Sequence, residues 1–207
     1  MQVFTYKDYI KAIHTFRINT IMKLAEYGQE YSLEGAKEDL IKKFFSDKRE
    51  MVNFLNSFIQ LNKKISSKQL IICNKTRMKL SDTEILYKIK NEEVYFLICH
   101  YSKMDNNFPY KLLNLCIDIV KEWLKDKKES NIRIYPIVIP IIIYTGNEKW
   151  GFPKKINSKY LEKTTYGENR INLSYNLVDI SKISIKELSS KNTKLAKNLL
   201  IEKLKMK

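Results

Sequence analysis

Residues 84–101, EILYKIKNEEVYFLICHY, decide the fold. The first part, 84–90, and the last, 93–101, are rich in Ile, Leu, Val, Tyr and Phe, which suit a pleated, half-buried surface. Between them, Asn91 and the Glu92-Glu93 pair supply a short turn. The two segments are expected to form a β-hairpin. Side chains alternate along a strand, so Cys99 and Tyr101 share one face and His100 takes the other.

Upstream, 69–79 reads as a third strand. Before it the period is helical. Residues 7–27 carry Ile10, Ile13, Ile18, Ile21, Leu24 and Ala25 at helical spacing, ending near Gly28. A second helix is expected at 35–45. A third is expected at 48–60, with Asp47 and Glu50 spaced as a capping box. Downstream, a helix follows Pro109 to about Lys125, with Leu112, Leu115, Cys116, Ile119, Val120 and Trp123 on one side. A lysine-rich loop, a buried strand at 132–145, a turn at 145–147, a strand at 171–180 and a helix at 185–206 complete the chain. The order helix, three strands, helix, strand predicts an α/β fold with a mixed sheet flanked by helices. The organisation expected is an N-terminal helical extension (1–30), a core (31–150) and C-terminal strand and helix additions packed on it (151–207).

Hydrophobic residues make up 44% and charged residues 29% of the 207, the balance of a globular protein able to bury a core. The net charge of +15, from 38 basic and 23 acidic residues, suits a polyanion such as DNA. An AT-rich genome would produce the same lysine excess through its codons. Cys73, Cys99 and Cys116 lack C-x-x-C spacing, which argues against a disulfide framework or a structural zinc site and fits a reducing cytoplasm. The first residues, polar and interrupted by charge, do not read as a signal peptide. The apolar run from Tyr135 to Tyr144 contains two prolines and is half the roughly 20 residues a membrane span needs.

Several segments, in order, carry a resemblance. They are EDLIKKFFSDKREMVNFLN (38–56), EILYKIK (84–90), VYFLICHYSKMDNNFPYKLLNLC (94–116) and YPIVIPIIIYTGNEKW (135–150). Together they resemble the recombination-promoting nucleases and transposases of the PD-(D/E)XK superfamily. TTYGENRINLSYNLVDI (164–180) resembles the clostridial-type members. The resemblance implies a restriction-endonuclease-like core of order α-β-β-β-α-β. It also implies a DNA endonuclease that uses Mg²⁺ or Mn²⁺ held by carboxylates, which activates water and stabilises charge on the phosphate.

The resemblance places the first carboxylate at Glu84, where the family has Asp. The second carboxylate falls at Cys99 and the family's Gln at Tyr101. A neutral thiol is a poor ligand for a hard cation, and Tyr cannot reproduce the amide. Ser102 and Asp105 keep the surrounding pattern. The implied function is therefore a nuclease with impaired or lost cleavage, or a non-catalytic DNA-binding or partner-binding relative of one. Glu38 and Asp82 are the further candidate metal ligands, and Asp82 would share the face of Glu84 if both lay on the strand. Lys111, where the family has Arg, is the candidate for added positive charge. Glu92 and Glu93 are expected to be solvated, and His100 to have a packing or hydrogen-bonding role. Without the resemblance, Glu84 is a surface charge of a hairpin, Cys99 a small buried hydrophobe and Tyr101 a strand aromatic. The implied partners are DNA and a second copy or a paralogue, joined through the N-terminal helix.

Overall fold

The computed structural model describes residues 47–73, 75–127, 135–156 and 173–191, with Thr193, Ala196, Leu199 and Lys203. The chain divides into two compact units, 1–40 and 41–207, and the described residues belong to the second. The helices expected at 7–27 and 35–45, and Glu38, lie outside the described residues.

Helix α1 (Lys48–Phe58) starts where Asp47 Oδ1 accepts the backbone N–H groups of Arg49 (2.9 Å) and Glu50 (3.3 Å). That satisfies two of the donors a helix start leaves open. Its apolar stripe buries Met51, Val52, Phe54 and Leu55.

The hairpin pairs β2 (Glu84–Ile89) with β3 (Val94–Tyr101) in antiparallel register, Glu84 opposite Cys99, Leu86 opposite Leu97 and Lys88 opposite Tyr95. Asn91 takes the left-handed conformation (φ 63°), which Asn tolerates better than most side chains and which lets so short a turn close. Strand β3 then crosses through helix α2 (Phe108–Asp126) to β4 (Ile137–Tyr144), and the two strands pair in parallel. Pro109 lies in the first turn of α2, where a missing N–H is harmless. The inner face of α2 places Phe108, Leu112, Ile119 and Trp123 against Leu86, Leu97, Cys99, Ile142 and Tyr144 of the sheet. Each large side chain fully buried there contributes about 1.5–3 kcal/mol.

Three elements differ from expectation. The strand foreseen over 69–79 is only β1 (Leu70–Ile72). The polar run after it forms a turn, in which Leu80 N–H donates to Lys75 O and Lys79 adopts φ 52°. For a lysine that conformation costs roughly 1–2 kcal/mol. The strand foreseen over 171–180 divides at Tyr175. Strand β6 (Leu173–Ser174) pairs with β5 (Lys155–Ile156) in a separate two-stranded sheet, whereas β7 (Asn176–Asp179) joins β4 in parallel. The main sheet has the order β1-β2-β3-β4-β7, and it is restriction-endonuclease-like in its mixed pairing and helical flanks. The last helix stops early: α3 (Ile185–Ser190), capped by Ser184, ends at an extended Lys191. Helix resumes with Thr193 Oγ1 accepting the Ala196 N–H at 3.0 Å. Two hydroxyl caps within ten residues explain the break.

Candidate functional site

The hairpin register and strand alternation bring Glu84, Cys99 and Tyr101 to one face of the sheet, beneath α2. The parallel pairing extends this row, with Tyr101 beside Tyr144 and Tyr144 beside Asp179 at the carboxyl ends of β3, β4 and β7. Glu84 opens β2, and its Oε2 accepts the Ser81 N–H at 2.8 Å. Cys99 has no exposed surface. Burial first, and then Glu84 and Cys116, hold its thiol well above the usual range. Burial likewise raises the Tyr101 phenol, helped by Cys99 and Glu84. The Cys116 thiol, on the inner flank of α2, is pushed up to about 12 by burial.

An aromatic cluster fills this end of the sheet. The Phe108 ring meets Tyr101 edge-on at 5.4 Å, Trp150 at 4.9 Å and Tyr175 at 5.2 Å. Trp150 Nε1 donates to the Tyr175 hydroxyl at 2.8 Å. Gly146 is fitted tightly here, since a Cβ would lie 2.3 Å from the Tyr144 hydroxyl and 2.6 Å from the backbone oxygen of Ser102. The backbone oxygen cannot swing aside, so Gly146→Ala is expected to destabilise the protein by about 1–2 kcal/mol. Thermal or urea unfolding reads this, and an unchanged midpoint would contradict the packing described.

The other candidates lie elsewhere. Asp82 sits in the exposed turn between Ser81 and Glu84, not on the strand, so alternation does not place it beside Glu84. Lys111 lies on the exposed flank of α2 and donates to Asp105 Oδ2 at 2.6 Å. Lys111, and then the Asn107 N–H, lower the Asp105 carboxyl. That pairing secures the start of α2. His100 is buried on the opposite face, its Nε2 2.9 Å from Thr145 Oγ1. The lysines expected in a loop at 121–128 include Lys121 and Lys125, which are on α2. Glu93, expected to be solvated, is half-buried and bonded to Lys88, Trp123 and Lys127. The sequence reading does not single out Asp179. It is a buried carboxylate whose Oδ1 accepts the N–H (3.0 Å) and hydroxyl (2.6 Å) of Ser181, with Lys182 3.3 Å from Oδ2. Its signal is an acid ending the apolar strand NLVD.

The donors on the Glu84 face do not suit a hard divalent cation. One carboxylate, a buried thiol and a half-buried phenol replace the oxygen cage that Mg²⁺ or Mn²⁺ requires. Among the described residues no three His, Cys, Asp or Glu side chains are grouped to hold a metal ion. None of the described helices is long and apolar enough to cross a membrane.

Fold and strand row together define a protein of the PD-(D/E)XK-like transposase group. The chain belongs to the family described as "Putative transposase, YhgA-like", which matches residues 37–206. No curated protein and no solved structure matches the chain.

Proposed function

We propose that this member of the transposase family retains a nuclease-type fold and DNA binding but has lost metal-dependent cleavage. The observation that carries the reading is Cys99, placed directly across from Glu84 with no exposed surface. Cleavage would require a second oxygen ligand at that place, open to water and phosphate. The site instead offers a neutral thiol packed under Phe108 and Leu112. The net charge of +15 supports the DNA partner, because lysines release counterions from any duplex without needing a catalytic centre. Three free thiols support a reducing, cytoplasmic setting.

Two measurements test this. In Mg²⁺ or Mn²⁺ the protein should nick supercoiled plasmid no faster than Glu84→Ala does. Nicking by the wild type that Glu84→Ala abolishes would refute the loss of cleavage. A labelled duplex should bind, with affinity falling at least about tenfold between 50 and 200 mM salt. Absence of binding at the lower salt would remove DNA as the partner.

A further inference from the structure

Beyond that reading, a surface on the far side of α2 has a use the strand row does not explain. An amphipathic helix with one buried stripe should be polar elsewhere. On α2 the buried stripe is Phe108, Leu112, Ile119 and Trp123, yet Tyr110, Ile117 and Leu124 are 52%, 39% and 38% exposed. Scattered exposed hydrophobics need no explanation. These three are spaced by seven residues, so they lie along one line of the helix with the period of a helix–helix seam.

A groove of about 340 Å³ runs beside the C-terminal half of this line, between α2 and the 77–79 turn, with Met78 and Leu124 in its walls. The turn is fixed in place. The Arg77 guanidinium reaches Glu122 at 3.3 Å and Asp126 at 2.5 Å. Lys79 is held in the left-handed conformation at φ 52°, and no acid pairs with it among the described residues. Backbone strain of this kind gathers where a side chain must be presented. Across the groove, the side chains of Lys121 and Lys125 are 66% and 68% exposed.

We propose that this face of α2, together with the Lys79 turn, docks an acidic amphipathic helix of a partner protein. The occupant would set apolar residues at seven-residue spacing on Tyr110, Ile117 and Leu124, and turn its acids toward Lys79, Lys121 and Lys125. Duplex DNA suits the surface less well. It would leave the apolar line unused and bring phosphates against Asp118 and Glu122, which share the groove. A second copy fits less well too, since each chain carries +15 and a two-fold pairing about Ile117 would set Asp118 against Asp118.

The probe is a fluorescein-labelled synthetic peptide of about three heptads, with leucine at the seam and glutamate at the flanks. Its partner is the full chain, and binding is read by anisotropy. The peptide should bind at least tenfold more tightly than a scrambled peptide of the same composition. Ile117→Asp and Leu124→Asp should each weaken it tenfold or more without moving the thermal midpoint. Lys79→Gly should weaken it a few-fold while leaving stability unchanged or higher, because the glycine relieves the strained φ. Four outcomes overturn the proposal. The designed peptide does not bind, or the scrambled peptide binds equally. A duplex oligonucleotide competes for the face and loses affinity with Ile117→Asp. Sedimentation shows a dimer that Ile117→Asp dissolves.

Discussion

Cys99→Glu is expected to destabilise the protein by about 3–5 kcal/mol at pH 7, the range for leaving a charge buried without a partner. The thiol it replaces is fully buried among Phe108, Leu112 and Ile142, and Glu84 stands across the ladder. A carboxylate there loses its hydration and faces a like charge, so the folded state holds the proton to higher pH than the unfolded chain does. The sign of the pH dependence follows. Below the unfolded value of about 4.3 both states are protonated and the electrostatic penalty disappears; above it stability falls as pH rises. Urea unfolding between pH 4 and 8 measures this directly. The same variant tests what a cation would need. With Tyr101→Gln added, Mg²⁺ should recover about 1–2 kcal/mol at ten to thirty times its dissociation constant. The wild-type midpoint should not move with Mg²⁺. A loss below about 1 kcal/mol for Cys99→Glu would mean that the position opens to water, and the closed-site reading would fail with it.

How far the sequence could be read follows from how local each feature is. The hairpin is legible because both strands and the turn lie within 84–101, and a short turn leaves little choice of register. Glu84 opposite Cys99 is a consequence of that register, as is Tyr101 on the same face. Helix α2 is legible from its 3.6-residue period and Pro109. The length of β1 is not, because it depends on how much of β2 is left to pair, and Leu70–Ile72 meets only Tyr87–Ile89. The division at Tyr175 is not legible either. Leu173 and Leu177 look alike in sequence, but one pairs with Ile156 and the other with Ile142. Asp179 owes its burial to the parallel neighbour Tyr144, 35 positions away in the chain. The exposed seam on α2 was hidden for a different reason. Its spacing is visible, but Ile117 and Ile119 differ in role only by the direction each faces.

Glu93→Ala is expected to destabilise the protein by about 2–3 kcal/mol, the scale of lost charge-assisted bonds at a half-buried carboxylate. A glutamate in a hairpin turn would ordinarily be worth little. Here the turn abuts the last helical turns of α2, and one carboxylate gathers three donors. Oε2 accepts from Lys88 Nζ at 2.8 Å and Trp123 Nε1 at 2.8 Å, and Oε1 from Lys127 Nζ at 2.9 Å. Both ammonium groups also face rings, Lys88 over Tyr95 and Lys127 over Trp123, each at 5.3 Å. Desolvation by itself would raise the carboxyl. The bonds from Lys88, Lys127 and Trp123 outweigh it and bring the pKa down to about 2. A depressed folded value contributes stability above the unfolded value near 4.3, and that contribution is lost as pH falls toward 2. The wild type should therefore lose more stability than Glu93→Ala between pH 5 and pH 2, and the two curves should converge at the acid end. Glu93→Gln separates shape from charge. It keeps an acceptor for Trp123 but removes the ionic attraction to both lysines, so it should fall between the other two at pH 7 and flatten the acid limb. Parallel curves for wild type and Glu93→Ala across that window would mean that the carboxylate is not the clasp joining the hairpin to α2.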